Sequence, residues 1–426
     1  MGVDVARAVA IIGMVAAHTG ASPTFELTDP TSWDALVHGR SSIVFAVVAG
    51  VSIAFVTARA REATVDELRV IRLGLVGRGA AVFVIGLVLE LVGTQVAVVL
   101  TVYGLVYVAV IPFITWSRRR LVVVAAVATV VCPPVLAVSE TFGQGPATVL
   151  AFFSAYPVTV WMVAVLAGLV VGRSRLDLTR TAALLVLAGA VLAGLGYGVG
   201  AAVGPGDPAT AASESAGSES AGSESGASES GASIGTDPLP ADRFDLSESL
   251  CTDEGAGLVI CSPADEAIAS AGPADDPSVL DVFGLESVFR GAGALVTSYP
   301  HSGGSAEIAG SIGVALVVIG LCLLVSRPLR WVLWPLAALG SCALTAYVLH
   351  AVVLSAWFIA SLRGWVTTGP ETPLQGVVTW GLLVAATVWS LTVGRGPLER
   401  SVAAVADRTA LRSRGRPVPD HAGRAS

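Results

Sequence analysis

Long runs of apolar residues follow one another along most of the chain, and they predict a bundle of membrane-spanning helices. A helix that crosses a bilayer needs about 20 predominantly apolar residues. Ten segments meet or nearly meet this length: 3–20, 41–58, 75–93, 95–116, 121–138, 155–172, 181–203, 307–326, 332–359 and 376–394. The pattern therefore predicts an all-α fold, a polytopic membrane helix bundle of about ten transmembrane helices, with the lipid bilayer as its partner.

A polar segment separates the seventh span from the eighth. It contains the low-complexity repeat ESAGSESAGSESGASES, which buries too little apolar surface to offset the entropy of ordering, so we expect this loop to be largely disordered. Cys251 and Cys261 lie in it, where an exported compartment permits a disulfide, although the sequence does not decide whether they pair. The predicted organisation is helices 1–7 in residues 1–203, an extracytoplasmic acidic loop in 204–306, helices 8–10 in 307–394 and an Arg-rich tail in 395–426.

The arginines orient the predicted bundle. Only 13% of the residues are charged, against about 25% in soluble domains, and all 25 basic residues are arginines. With the N-terminus inside, 21 of them fall on the inner side, and four fall outside: Arg40, Arg243, Arg290 and Arg363. The positive-inside rule then places both termini in the cytoplasm of a multi-pass cell-membrane protein. Because topology explains the basic residues, no nucleic-acid partner is expected.

The first span carries charge, which is costly in a bilayer and marks a functional hypothesis. At about 100° per residue, Asp4, Arg7 and His18 share one face of the helix. A second face holds only small residues that allow close helix packing, namely Ala6, Ala10, Gly13 and Ala17. The alternative is that Arg7 snorkels to the interface beside Asp4, while His18 lies among lipid headgroups. A cleaved signal peptide is not expected, because the charges interrupt its apolar core, and a short upstream segment is expected to be missing.

Four histidines and two carboxylates map to the predicted outer side. They are His18, His38, His301, His350, Glu90 and Glu307. A histidine beside a carboxylate suits general acid–base chemistry near neutral pH. The alternatives are solvated loop residues for His38 and His301, a hydrogen-bonded interior histidine for His350, and a helix-dipole position for Glu307. No histidine pair has metal-ligand spacing, and no phosphate loop or nucleophile elbow occurs, so no metal site is predicted.

Several segments resemble known membrane enzymes. DVARAVAIIGMVAAH, residues 4–18, resembles the first-helix signature of membrane acyltransferases, in which a His follows an Arg by eleven positions. Other segments resemble the YeiB-like domain-of-unknown-function family and the related heparan-α-glucosaminide N-acetyltransferases. These segments are residues 38–55, 99–108, 154–173, 299–324, 335–350 and 394–400. The resemblance covers the predicted membrane part and skips the loop.

The resemblance implies a fold of ten or so helices that takes an acyl-CoA donor, acetyl-CoA foremost, from the cytoplasm. The acyl group is then delivered to an acceptor across the membrane. An outward-facing histidine would act as base or transient acyl carrier. In the heparan-α-glucosaminide enzymes the catalytic His precedes a Ser-Trp pair in the first outer loop. Here Thr31 precedes Ser32 and Trp33, so His18 is the candidate.

The sequence therefore predicts an acyl-CoA-dependent O- or N-acyltransferase acting on an envelope glycan or lipid-linked sugar. The predicted catalytic residues are His18, Arg7, Asp4 and Glu307. The predicted acceptor-binding residues are Arg40, His38, His301, Ser302, His350 and Glu90. Arg69, Arg72 and Arg78 are predicted to grip the CoA phosphates, although topology alone also explains them. The alternatives are an exporter of a small envelope precursor and a non-catalytic membrane partner; a homo-oligomer is compatible with each.

Overall fold

Twelve α-helices make up most of the described chain. The computed structural model describes residues 1–19, 37, 39–94, 96, 98–142, 158–203, 249–253, 259–263, 296, 303–366 and 374–414. The first seven helices are α1 (Gly2–Thr19), α2 (Arg40–Val56), α3 (Val65–Leu91), α4 (Leu100–Ala109), α5 (Arg118–Phe142), α6 (Val158–Gly172) and α7 (Thr179–Val203). The last five are α8 (Ser305–Val325), α9 (Trp334–Ser341), α10 (Ala343–Leu362), α11 (Leu374–Thr392) and α12 (Pro397–Arg414).

These helices are those of a membrane protein. Six of the described helices, α1, α3, α7, α8, α10 and α11, are long and apolar enough to cross a bilayer. Three shorter apolar helices, α2, α4 and α6, lie in other predicted segments. A helix thus occurs in every segment whose hydrophobicity predicted one, since in lipid the backbone hydrogen bonds must be made within the segment itself.

The segment predicted as one helix over 332–359 is broken. It forms α9 and α10, which are separated at Cys342 (φ −107°, ψ 30°). The segment 95–116 likewise ends in a 3₁₀ helix, Ile111–Thr115, after α4. Helix α3 begins ten residues before the predicted span, because Thr64 and Glu67 form a reciprocal capping box at its N-terminus.

The C-terminal region predicted only as an Arg-rich tail contains α12, which packs against α3 and α10. Val402 and Ala406 are buried one helical turn apart, as expected for one face of a helix. The hydroxyl of Thr409 donates to the carbonyl oxygen of Leu73 in α3 at 3.1 Å. The residues after 414 lie outside the described part of the chain.

Helix α1 lies at the centre of the bundle, where it contacts α2, α8, α9, α10 and α11. Three residues of its small-residue face are buried, with Ala6 and Ala10 almost inaccessible and Gly13 against Ser41, whereas Ala17 is partly buried. On α9, Gly340 lies so close to the backbone of Asp4 that an added Cβ would overlap its carbonyl oxygen. Small residues therefore bring the neighbouring backbones together, as in other membrane helix bundles.

Helix ends that the arginine count assigns to the same side of the membrane contact each other. Arg173, after α6, donates to the carbonyl oxygens of Trp116 and, at 2.6 Å, Ile114 at the end of the 3₁₀ helix. Arg327, after α8, donates to the hydroxyl of Thr179 at the start of α7. These contacts agree with a chain that alternates in direction between these helices.

The predicted loop holds a second compact unit, residues 207–289. In it the structure describes an antiparallel hairpin of β1 (Ser249–Asp253) and β2 (Val259–Pro263), which the loop's composition did not indicate. Cys251 lies directly opposite Cys261 in this hairpin. The Ser/Glu repeat lies outside the described residues.

Candidate functional site

A cavity of about 250 Å³ lies between α1, α2, α3, α4, α9, α10 and α12. Its polar wall is formed by Arg7, Ser52, Arg78, Ser341 and Glu399. Its apolar wall includes Phe45, Ala49, Val82, Leu100 and Tyr103. The arginines, the inner end of α2 and the N-terminus of α10 place the cavity toward the side that the sequence assigns to the cytoplasm.

Arg7 is held in the cavity wall by two contacts. Its guanidinium lies 2.5 Å from a carboxylate oxygen of Asp4 and donates to the hydroxyl of Ser52 at 2.8 Å. The first contact is the pairing with Asp4 that belongs to the alternative interpretation of the first span, and the second ties α1 to α2. Since a guanidinium has five N–H donors, Arg7 keeps donors for a ligand.

Arg78 lines the same cavity from α3 and is only half-buried. Within the part of the chain that the structure describes, no hydrogen bond or ion pair involves its guanidinium. An unpaired cation among apolar helices is costly, and an anionic ligand in the cavity would remove that cost. Arg69 and Arg72 lie on the same helix but are exposed and outside the cavity wall.

Glu399, from α12, caps the N-terminus of α10. Its carboxylate accepts hydrogen bonds from the backbone N–H of Leu344 at 2.7 Å and of Thr345 at 3.1 Å, and from the Thr345 hydroxyl at 2.6 Å. The positive end of the α10 dipole compensates this charge. Arg7 is paired with Asp4, and Glu399 is engaged by the N-terminus of α10. Arg78 is therefore the cation of the cavity wall without a hydrogen-bonding or ionic partner among the described residues.

His18 and His350 form a pair away from this cavity. Their rings stack with centroids 5.6 Å apart and planes inclined by 17°. His350 is 0% exposed, and neither of its ring nitrogens makes a hydrogen bond with a described residue. A fully buried imidazole without a side-chain hydrogen bond to a described residue calls for an explanation, and the sequence offered two: a site residue or an interior histidine. His18 is exposed at the end of α1.

Three further predicted residues make contacts at helix ends. Arg40 donates through Nε to the hydroxyl of Tyr197 at 2.8 Å. Glu307 is buried and accepts a hydrogen bond from the backbone of Gly303 at 2.7 Å, close to the helix-dipole position of the alternative interpretation. Glu90 is exposed and accepts from the Thr101 hydroxyl at 2.8 Å. Three other predicted residues lie outside the described chain: His38, His301 and Ser302.

A series of aromatic rings joins the cavity to the histidine pair. Phe45 in the cavity wall lies 6.5 Å from the Tyr347 ring, and Tyr347 meets His350 edge-on at 5.0 Å. Neither histidine lines the cavity itself. Along α1 the rise from Arg7 to His18 is about 16 Å at the usual rise per residue. The two polar centres are thus separate, with Phe45 and Tyr347 between them.

Sequence reasoning missed several residues of the cavity wall. Phe45, Ala49 and Ser52 follow one another at i, i+4 and i+7 on a single face of α2. Ser52 is the polar residue on this face, and a polar residue within a membrane span could have indicated from the sequence that the face packs against protein. Glu399 stood in a segment that resembled the family, but its role required the contact with α10. Among the described residues, no three His, Cys, Asp or Glu side chains cluster as a metal site would require.

Part of the chain is similar to a known family. Residues 291–406 match the model of a family described as "Protein of unknown function (DUF418)". The match extends from before α8 into α12, so it includes His350 and Glu399, whereas Arg7 and His18 lie outside it. No curated protein and no solved structure matches the chain. The match supports the resemblance to a domain-of-unknown-function family over this region.

Proposed function

We propose that this protein is an integral membrane acyltransferase. It transfers an acyl group, foremost acetyl, from cytoplasmic acyl-CoA to a hydroxyl or amine of an extracytoplasmic glycan or lipid-linked sugar. The proposed topology has ten spans in the cell membrane and both termini in the cytoplasm. One observation carries the proposal: α1 and α10 each contribute to an arginine-lined cavity at one end and to an imidazole pair further along, through Arg7 and His18 on α1 and Leu344 and His350 on α10.

The cavity suits the reactive end of a CoA thioester. At about 250 Å³, it is smaller than the roughly 300–1,000 Å³ of sites for drug-sized ligands. It therefore suits the pantetheine arm and acyl group, with the nucleotide outside. Arg78 and Arg7 supply charge for phosphate or carbonyl oxygens. Arg69 and Arg72, exposed nearer the start of α3, are available to the nucleotide phosphates.

The histidine pair suits the acceptor. In direct transfer, the acceptor oxygen or nitrogen attacks the thioester carbonyl carbon, the carbon–sulfur bond breaks, and CoA leaves as the thiolate. His18 takes the proton of the attacking group as general base. In the two-step variant, His18 attacks first and carries the acyl group. His350 hydrogen-bonds the acceptor, while Asp4 orients Arg7.

The remaining predicted residues complete the proposed acceptor side. Arg40 and Glu90 bind polar groups of the sugar, and Glu307 orients the local backbone or an imidazole. The three candidates outside the described chain, His38, His301 and Ser302, keep their predicted role in acceptor binding.

Reconstitution tests the proposal. The full chain in proteoliposomes is given radiolabelled acetyl-CoA and an envelope extract, and acyl transfer is compared for wild type, His18→Gln and His350→Gln. Loss of a general base lowers the rate by about 10²–10⁴-fold, so we expect His18→Gln to fall in that range. Val9→Ala and Leu349→Ala are matched controls, because both residues are exposed on the same two helices. Absence of transfer from any acyl-CoA would refute the class, and equal rates for wild type and His18→Gln would remove His18 from the mechanism.

An exporter of a small anionic envelope precursor is the second candidate. Transporters place discontinuous helices at their substrate sites, and the α9–α10 break at Cys342 adjoins the arginine-lined cavity. CoA-independent movement of an anionic sugar across the proteoliposome membrane would favour this candidate. The third hypothesis, a non-catalytic partner acting through the acidic loop, predicts a phenotype for deletion of residues 207–235.

A further inference from the structure

Phe45 belongs to the apolar wall of the cavity. Its ring lines the cavity wall beside Ala49 on the same face of α2. It meets Tyr103 edge-on at 5.4 Å and lies 6.5 Å from Tyr347 at an interplanar angle of 28°. Because Tyr347 contacts His350, Phe45 is the ring that stands between the cavity and the residues in contact with the histidine pair.

The two rings that flank Phe45 are anchored. Tyr347 is 1% exposed, and its hydroxyl accepts a hydrogen bond from the backbone N–H of Val99 at 3.2 Å. Tyr103 is buried, donates to the carbonyl oxygen of Ser42 at 3.4 Å and packs edge-on against Trp161 at 5.1 Å. Phe45 has no polar atom to anchor it and borders the cavity. Of these three rings, Phe45 is the one whose rotation breaks no hydrogen bond.

We infer that Phe45 determines the length of the acyl chain that the donor site accepts, and that it restricts the site to short chains such as acetyl. The inference rests on the proposed function. A thioester bound with its CoA arm at the arginines directs its acyl group toward the apolar wall, where Phe45 and Tyr103 leave little room. Since Phe45 lies between the cavity and Tyr347, which contacts His350, added methylenes would meet this ring.

Substitution of Phe45 tests the inference by changing the space at this wall. One methylene in a hydrophobic pocket changes the preference between substrates by about 10–200-fold. We therefore expect wild type to prefer acetyl-CoA over butyryl-CoA by at least about tenfold in kcat/KM. Phe45→Ala should reduce or reverse this preference by at least tenfold, with Phe45→Leu intermediate. The control is Phe55→Ala, because Phe55 lies on the same helix and is 51% exposed.

The measurement is transfer from acetyl-, butyryl- and hexanoyl-CoA by the full chain in proteoliposomes, after gel filtration and thermal unfolding show that each variant is folded. An unchanged ratio of butyryl to acetyl transfer in both Phe45 variants, with wild-type transfer intact, overturns this inference and leaves the proposed function standing. A shift of similar size in Phe55→Ala also overturns it.

Equilibrium binding separates this inference from the proposed function. If wild type transfers no acyl group, the proposed function fails, and binding of CoA, acetyl-CoA and hexanoyl-CoA to the purified protein then decides the inference. Phe45→Ala should strengthen hexanoyl-CoA binding relative to acetyl-CoA and leave free CoA unchanged. Binding that is insensitive to acyl length in both proteins, or no binding of any CoA compound, overturns the inference.

Discussion

Replacement of Arg78 should change ligand affinity and protein stability in opposite directions. The guanidinium lines the cavity on α3, is half-buried, and has no hydrogen-bonding or ionic partner among the described residues. A side chain that serves the fold would be paired, and its removal would destabilise the protein. An unpaired cation costs stability in the free protein and contributes only when an anion binds. Arg78→Leu is therefore expected to raise the unfolding temperature and weaken CoA binding.

The size of the binding effect follows from the contacts that Arg78 lacks. Hydrogen bonds to charged groups contribute about 1.5–3 kcal/mol, and about 1.4 kcal/mol corresponds to a tenfold change in affinity. Since no described residue competes for this guanidinium, we expect Arg78→Gln to weaken CoA binding by about 10–150-fold. Arg72 is exposed on the same helix, so solvent screens its charge. Arg72→Gln should therefore weaken the free energy of CoA binding by at most about 1 kcal/mol.

Calorimetric titration of CoA into the protein in lipid nanodiscs measures both affinities, and thermal unfolding of the same samples measures stability. Added salt should weaken CoA binding to wild type less than it would weaken binding through fully exposed charges, because the cavity is partly shielded from solvent. Equal losses of affinity in the Arg78 and Arg72 variants would refute the assignment of Arg78 to the donor site. A lower unfolding temperature for Arg78→Leu would show that the residue serves the fold.

Two predictions concern the contacts that hold the bundle and the loop. Glu399→Ala removes a charged acceptor from three donors at the α10 N-terminus and should destabilise the protein by about 2–3 kcal/mol, measured by denaturant unfolding in detergent. Asp407→Ala, at an exposed site on the same helix, is the control, and an equal effect would contradict the capping role. Cys251 and Cys261 are partner positions in the backbone register of the hairpin, where the Cα atoms of cross-strand neighbours lie about 4.5–5.5 Å apart, within disulfide range. Alkylation of the unreduced protein should leave this pair unmodified, and full labelling of both would show free thiols.

The local features of the chain followed from the sequence because their causes are local. Apolar length located the helices, and the i,i+3 spacing of Asp4 and Arg7 indicated their ion pair. The small residues of the first span predicted close packing, which Gly13 confirms against Ser41. In each case the pattern that supports the prediction lies in neighbouring positions of one helix, although α2 supplies the other half of the close packing at Gly13.

The sites depended on contacts between distant parts of the chain. Arg7, Arg78 and Glu399 come from three helices, and His350 follows His18 by more than three hundred residues. Helices that are apolar on nearly every side do not show which face points inward, so α2 gave little indication that Phe45 faces a cavity. The N-terminus of α10 also depends on a distant residue, because Glu399 caps it.

By itself, the sequence determined a helical membrane protein whose first helix carries Asp4 and Arg7 at ion-pair spacing, a face of small residues and a histidine near its end. Only the tertiary structure decided that Arg7 and Arg78 share a cavity, that His18 stacks on His350, and that Phe45 stands between these two centres. The physical reason is that backbone hydrogen bonding and hydrophobicity act over a few residues and specify each helix. The rotation and axial position of each helix are set by packing against its neighbours, and these determine which side chains meet.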